Sequence, residues 1–296
     1  MRNIPIVTKS LLIINVAAFL ISMFSGHVDV LGTSRMNDIF GLHFFLAPNF
    51  HFYQLVTYMF MHGGWAHLFF NMFALWMFGC VVENVWGPKK FLFYYIFCGI
   101  GAGLCQEIAQ FVQLYIVANE QIVDFTIGKI FVVANSNASL LNLWTTVGAS
   151  GAIYAILLAF GMLFPEQRIF IIPIPFPIKA KWFVMIYVAI ELFSAIGSSG
   201  DGVAHVAHLG GMLFGFLLIR YWKKHPHSNT VNFSDFRIFH STTSTQPPHH
   251  ESDWEYNQRK QTEQAEIDRI LDKIRKSGYD SLSKSEKQKL FESSKK

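Results

Sequence analysis

The sequence predicts an all-α, polytopic membrane protein: six membrane-spanning helices and a small helical tail. Three observations carry that expectation. The chain of 296 residues is 52% hydrophobic and only 15% charged, where soluble domains run near a quarter charged. The shortage is uneven, with 10 Lys/Arg and 9 Asp/Glu in residues 1–222 against 14 and 11 in residues 223–296. The apolar residues of the first part also gather into six runs close to the roughly 20 residues that cross a bilayer core. The chain therefore divides into a membrane domain over 1–222, a linker over 223–250 with Pro247, Pro248, His249 and His250, and a soluble helical tail over 251–296. Its basic residues flank apolar runs, so no nucleic-acid partner is expected. Cys80, Cys98 and Cys105 lie inside apolar runs without metal-ligand spacing and read as packing residues.

In chain order, residues 11–24 form the first span; no small-x-small cleavage pattern follows Phe24, which argues against a signal peptide. Residues 25–61 are aromatic but broken by Gly41 and Pro48, as suits a segment lying in the membrane interface. Residues 63–82 form the second span, with His67 and Asn71 four apart on one face, His62 just before and Glu83 at its end. Residues 91–113 form the third, with Glu107 near its end, and residues 114–146 read as a long loop whose run Ile130 to Ala134 is too short to span. Residues 148–164 form the fourth and 182–197 the fifth, joined by a proline-rich turn. Glu191 in the fifth reads as an interhelical hydrogen-bonder. Residues 203–219 form the sixth, where His208, Gly211 and Gly215 share a face and Gly211-x-x-x-Gly215 invites close helix approach. In the tail, Ile267, Ile270, Leu271 and Ile274 mark an amphipathic helix ending at Gly278, and Ser283-Lys284-Ser285-Glu286 is a capping box that opens a second helix with Leu290 and Phe291.

Charge distribution orients the spans. With the N-terminus in the cytoplasm, Arg2, Lys9, Lys89, Lys90, Arg168, Lys179, Lys181 and Arg220 fall inside, and Arg35 and Lys129 outside. That layout puts Ser150, His67 and His208 at similar depth, toward the outer ends of their spans. Water can reach such a shallow site.

Polar groups inside spans are costly and need a partner or a task. Ser150 sits between Gly148-Ala149 and Gly151 at the head of the fourth span, where a helix start offers unpaired N–H groups and partial positive charge to an oxyanion. A capping serine would look the same in isolation. If the Ser150–Tyr154 face of the fourth span meets the His208–Gly211–Gly215 face of the sixth, a hydroxyl and an imidazole come together. A metal site is the rival: His205-x-x-His208 with His62 or His67 could supply three imidazoles. However, His-Glu-x-x-His is absent, and the acid nearest the histidines in sequence is Asp201 in a loop. No metal or cofactor is expected.

Three motifs in order, His62-Gly63-Gly64-Trp65-Ala66-His67 with Asn71, Gly148-Ala149-Ser150-Gly151 with Tyr154, and Ala207-His208-Leu209-Gly210-Gly211 with Gly215, resemble those of the rhomboid intramembrane serine proteases over residues 1–222. The resemblance implies a six-helix rhomboid-like bundle and a Ser–His dyad without a third carboxylate. Ser150 would be the nucleophile and His208 the general base, with His67 and Asn71 as oxyanion-hole donors. Tyr154 would pack on the His208 ring, while Gly148, Gly151, Gly211 and Gly215 would support the site. The fifth span and its preceding loop would gate the entry of a substrate helix. The implied partners are transmembrane protein substrates and the lipid bilayer; the implied location is the bacterial cytoplasmic membrane, with both termini cytoplasmic. The alternative is a non-catalytic rhomboid-like protein that binds membrane helices. One departure is visible: Phe52-Tyr53-Gln54 stands where the family often has Trp-Arg in the first loop.

Overall fold

A computed structural model of the chain describes residues 3–26, 33–170, 177–197, 204–225, 268–275, 281–283 and 285–287. Arg2, Pro173, Pro175, the loop over 198–202, most of the linker, Ile267, Gly278, Lys284, Leu290 and Phe291 lie outside the described residues. One compact unit spans Met1–Phe233 and a second spans Ser234–Lys296.

The first unit is a helical, polytopic membrane bundle. It opens with α1 (Ile6–Phe24), whose cap residue Pro5 has no side chain to offer. A distant carboxylate takes that place: Glu83 accepts the Val7 N–H at 2.9 Å, the Thr8 N–H at 2.7 Å and the Thr8 hydroxyl at 2.7 Å. These are the N–H groups that a helix start leaves unpaired, and the anion also suits the positive end of the helix. Next come α2 (Arg35–Phe40), β1 (Leu42–His43), α3 (Gln54–Thr57) and a 3-10 turn over Tyr58–Phe60. The second span is continuous over Trp65–Trp86, built from α4 (Trp65–Ala74), a π-helical turn at Leu75–Gly79 and α5 (Cys80–Trp86). Gly87 turns the chain with φ +79° into α6 (Pro88–Gln121).

The expected loop over 114–146 is corrected. α6 has 34 residues and runs to Gln121, and α7 (Ile130–Ser136) and α8 (Ala138–Leu141) follow. The run at Ile130 does not span, but it has a packing task. Ile130, Ala134 and Leu141 close with Leu114 over Phe44 and Ala47 into a second apolar core. Burying Ile130, Leu114 or Leu141 is worth about 1.5–3 kcal/mol each. Helical propagation through Leu114 and Ala118 is what places α6 under that core. β2 (Thr145–Thr146) then pairs antiparallel with β1, Leu42 opposite Thr146 and His43 opposite Thr145.

The remaining long helices are α9 (Ser150–Leu163), α10 (Ala180–Gly197) and α11 (His205–Lys224), with β3 (Arg168–Ile169) and β4 (Ile178–Lys179) pairing between α9 and α10. Of the described helices, α1, Trp65–Trp86, α6 and α10 are long and apolar enough to cross a membrane alone. α9 has only 14 residues and is mostly buried, so it is the central helix that the others surround. α11 has 20 residues and ends in Lys223 and Lys224. Near that end, Lys90 lies 4.3 Å from the centre of the Trp222 ring, which packs edge-on against Trp86. This is the mixture of aromatic and basic groups that a membrane interface favours.

In the second unit, residues 268–275 are helical and Ile270 is buried. The capping box is formed: Glu286 accepts the Ser283 N–H at 2.7 Å, and the Glu286 N–H reaches the Ser283 hydroxyl at 3.3 Å.

Candidate active site

The site lies on the contact between α9 and α11. Its entry is fixed by Gly148, whose φ of +131° suits glycine and whose N–H donates to the Tyr58 carbonyl at 2.9 Å. The Tyr58 hydroxyl in turn donates to the Gly99 carbonyl of α6 at 2.6 Å. Ala149 is the cap residue of α9 and makes no side-chain cap bond, so Ser150 is not a capping serine. It stands half-buried at the first helical position. Across the contact, a Cβ on Gly211 would run into the Gly151 carbonyl and come within 2.7 Å of its carbon. A Cβ on Gly215 would strike the Tyr94 hydroxyl, which donates to the Ala155 carbonyl of α9 at 2.8 Å. The two backbones therefore touch, and the polar side chains above them are brought close.

His208 Nε2 lies 2.8 Å from Ser150 Oγ. The Tyr154 ring stacks on the His208 ring with centroids 4.2 Å apart and planes 5° apart. Glu191 of α10 completes the cluster. Its Oε1 accepts from the Tyr154 hydroxyl at 2.5 Å, while its Oε2 lies 2.7 Å from His205 Nδ1 and 3.0 Å from His208 Nδ1. The last contact is close but out of line: no aligned hydrogen bond forms from His208 Nδ1. Glu191 thus bridges α9, α10 and α11, as an interhelical hydrogen-bonder should. It also sets a carboxylate beside Ser150 and His208, where the resemblance implied none.

Sequence reasoning passed over that carboxylate because 14 positions separate Glu191 from His205. The signal was present: a charge in a span needs buried partners, and His205 and His208 are the cationic candidates. Glu191, His205 and His208 are also the described His/carboxylate group whose ligand atoms all fall within 4.8 Å. His62 and His67, the third imidazoles of the metal reading, are not in it. The carboxylate already accepts at hydrogen-bond distance from Tyr154 and His205.

His67 approaches Ser150 from α4. A Cβ on Gly148 would lie 2.7 Å from His67 Nε2 and 3.6 Å from Ser150 Oγ, so ring and hydroxyl flank the same glycine. His67 Nδ1 accepts the Gly63 N–H at a long 3.4 Å, which leaves the ring proton on Nε2, facing the site. Asn71 is buried and donates one amide proton to the His67 carbonyl at 2.9 Å; its second remains for another acceptor. His62 stacks edge-on against His67 with centroids 5.1 Å apart. Burial, and then the nearby His67, pull its imidazole down to about 4, so it is neutral at pH 7.

A rhomboid domain model matches residues 49–224. The chain belongs to the rhomboid family. Residues 251–296 match a separate family of unknown function (DUF6576). Among curated rhomboid relatives, the chain is 26% identical over 231 residues to Rhomboid protease AarA of Providencia stuartii, covering 76% of this chain and 75% of that one. It is 29% identical over 185 residues to Rhomboid-like protein 11, chloroplastic, of Arabidopsis thaliana, covering 59% and 54%. It is also 29% identical over 163 residues to the mitochondrial Presenilin-associated rhomboid-like protein of Homo sapiens, covering 55% and 36%. The chain thus spans little more than half and about a third of the last two.

The structure also answers how this rhomboid holds its first loop without a Trp-Arg pair. Gln54, fully buried, accepts the His51 N–H at 3.0 Å and the His43 N–H at 3.3 Å. Its amide donates to the Asn49 carbonyl at 2.9 Å and the Ile39 carbonyl at 3.2 Å. Glu107 of α6 accepts the Phe45 N–H at 2.6 Å, which ties the loop to the bundle. A neutral amide inside the loop and a carboxylate beneath it satisfy backbone groups that lipid could not.

Proposed function

We propose that this protein is an intramembrane serine endopeptidase that cleaves transmembrane segments of single-pass membrane proteins through Ser150 and His208. One observation carries the reading: a serine hydroxyl and an imidazole from separate helices stand 2.8 Å apart at a helix N-terminus, with the ring held by a stacked tyrosine. His208 Nε2 takes the Ser150 proton as Oγ bonds to the substrate carbonyl carbon, and the π pair moves to oxygen. The oxyanion meets the Ser150 N–H at the start of α9, His67 Nε2–H and the free proton of Asn71. The imidazolium then protonates the leaving amine as the C–N bond breaks, and water repeats the sequence on the acyl-enzyme. No cofactor enters these steps.

Charge placement favours both termini in the cytoplasm, because eight of the ten basic residues in 1–222 then lie inside; the membrane in this reading is the bacterial cytoplasmic membrane. The test is labelling of the purified, folded protein with a fluorophosphonate probe, alongside cleavage of single-span proteins read as new N-termini. Labelling of the wild type that disappears in S150A is the expected result. An unlabelled, folded wild type would instead favour a protein that binds membrane helices without cutting them.

A further inference from the structure

We propose that Glu191 is a positioning residue for His208, keeping the ring in the Nδ1–H tautomer and facing the charge that the ring gains when it takes the Ser150 proton. The proposal rests on the Ser150–His208 reading above. For Nε2 to accept from Ser150, the ring proton must sit on Nδ1. Glu191 Oε2 is the acceptor standing there, 3.0 Å away. An ionised carboxylate can only accept, so it opposes the tautomer that would put the proton on Nε2 and block the base.

The same carboxylate controls the ring in a second way. Tyr154 is stacked on the His208 ring and donates its hydroxyl to Glu191 Oε1 at 2.5 Å. Glu191 therefore fixes both the edge of the imidazole and the aromatic ring against its face. His205 Nδ1 lies 2.7 Å from the same oxygen, Oε2, and pins the carboxylate to α11. At 4% exposure it has little contact with water and depends on these three groups. A bridge that merely joined helices would not need an anion at the Nδ1 edge of the histidine whose Nε2 lies 2.8 Å from Ser150 Oγ. The resting contact is out of line, which is common before substrate arrives. As the Ser150 proton moves to Nε2, the imidazolium carries a proton on each nitrogen. The carboxylate stays ionised beside Nδ1–H, and the proton leaves with the departing amine.

The test uses the full chain in liposomes with a single-span substrate. E191Q keeps the size of the side chain and can still accept from Tyr154, but it can offer an N–H to His208 Nδ1. The expected result is a fall in kcat on the order of 10²-fold with KM changed by less than about twofold. The fall in kcat exceeds what any accompanying change in thermal stability accounts for, and E191D recovers part of the loss. Turnover of folded E191Q within about twofold of the wild type would overturn the proposal. A loss of activity that tracks lost stability equally in E191Q and E191D would also overturn it. Should E191Q fail to fold, nitrogen-15 NMR of histidine-labelled wild type decides, with the His208 signal identified by its absence in H208Q. A protonated Nδ1 supports the proposal and a bare Nδ1 overturns it. S150A separates the two readings: if it still takes the fluorophosphonate, the dyad reading and this proposal fall together. If only E191Q behaves as wild type, the dyad stands and the positioning role falls.

Discussion

α9 is held on two sides by different means. Against α11 it meets backbone, with Gly211 seated on Gly151 so that an added Cβ would collide with a carbonyl. Against α10 it meets side chains: Gly161 faces Val184, where an added Cβ would come to 2.7 Å from Cγ2, and Tyr154 reaches across to Glu191. A backbone contact cannot yield without moving a helix, whereas a side-chain contact can change rotamer. One flank of the central helix is therefore fixed, and the other is a clasp that can open. The Ser150–His208 pair lies across the fixed flank, and the Glu191 carboxylate lies on the clasp.

Substitutions can break or sharpen this contrast. The largest effect is expected for G211A, which forces α11 away from α9: more than about 3 kcal/mol of stability, at the upper end of overpacking costs, and loss of probe labelling at Ser150. Thermal unfolding and labelling measure both. Y154F comes next. It keeps the ring stacked on His208 but removes a hydrogen bond to a buried carboxylate, worth about 1.5–3 kcal/mol. Its melting temperature should drop, and α10 should become more open to hydrogen exchange while α11 stays protected. G161A is the control for the seam, an equal methyl placed against the Val184 side chain instead of backbone. About 1–2 kcal/mol is expected, and a cost equal to that of G211A would erase the distinction.

The smallest effect belongs to Glu166, at the other end of the clasp, which pairs with Lys179 at 2.6 Å and with Lys181. These lysines hold its carboxyl down to about 2. Because the folded value is depressed, the contribution of the pair is fully present above the ordinary carboxylate range and fades as pH falls toward about 2. The group is exposed, so salt should mute it and E166Q should barely change stability at neutral pH. A carbon-13 titration of the Glu166 carboxyl with its midpoint near 4.5 would contradict the pairing.

Much of the bundle could be read from residues alone, because lipid requires long apolar helices and punishes stray polar groups. The apolar runs follow from composition, and helical periodicity puts Ser150 and His208 on faces that can meet; the stacking of Tyr154 on His208 was legible only through the family resemblance. The segment over 114–146 did not follow. Its helices after Gln121 are short and apolar on more than one side, and Ile130, Ala134 and Leu141 cover Phe44 and Ala47 of the first loop, a contact with no signature in local sequence. Glu191 escaped for a related reason. A hydrogen bond can be recognised from one residue, but its function depends on which groups a second helix brings to it. Gln54 likewise looks like an ordinary loop residue until its four backbone partners are in view.

The shortness of α9 has a geometric consequence. Fourteen residues reach about 21 Å, some 9 Å less than the hydrocarbon layer. With the charges of Glu166, Lys179 and Lys181 just past its far end taken as lying at the headgroups, the deficit falls above Ser150. On the proposed protease reading, a substrate backbone that reaches this hydroxyl descends by the same depth, equal to about six residues of helix rise. Cut positions mapped in different substrates should cluster that far below the membrane boundary, because the length of one helix acts as the ruler.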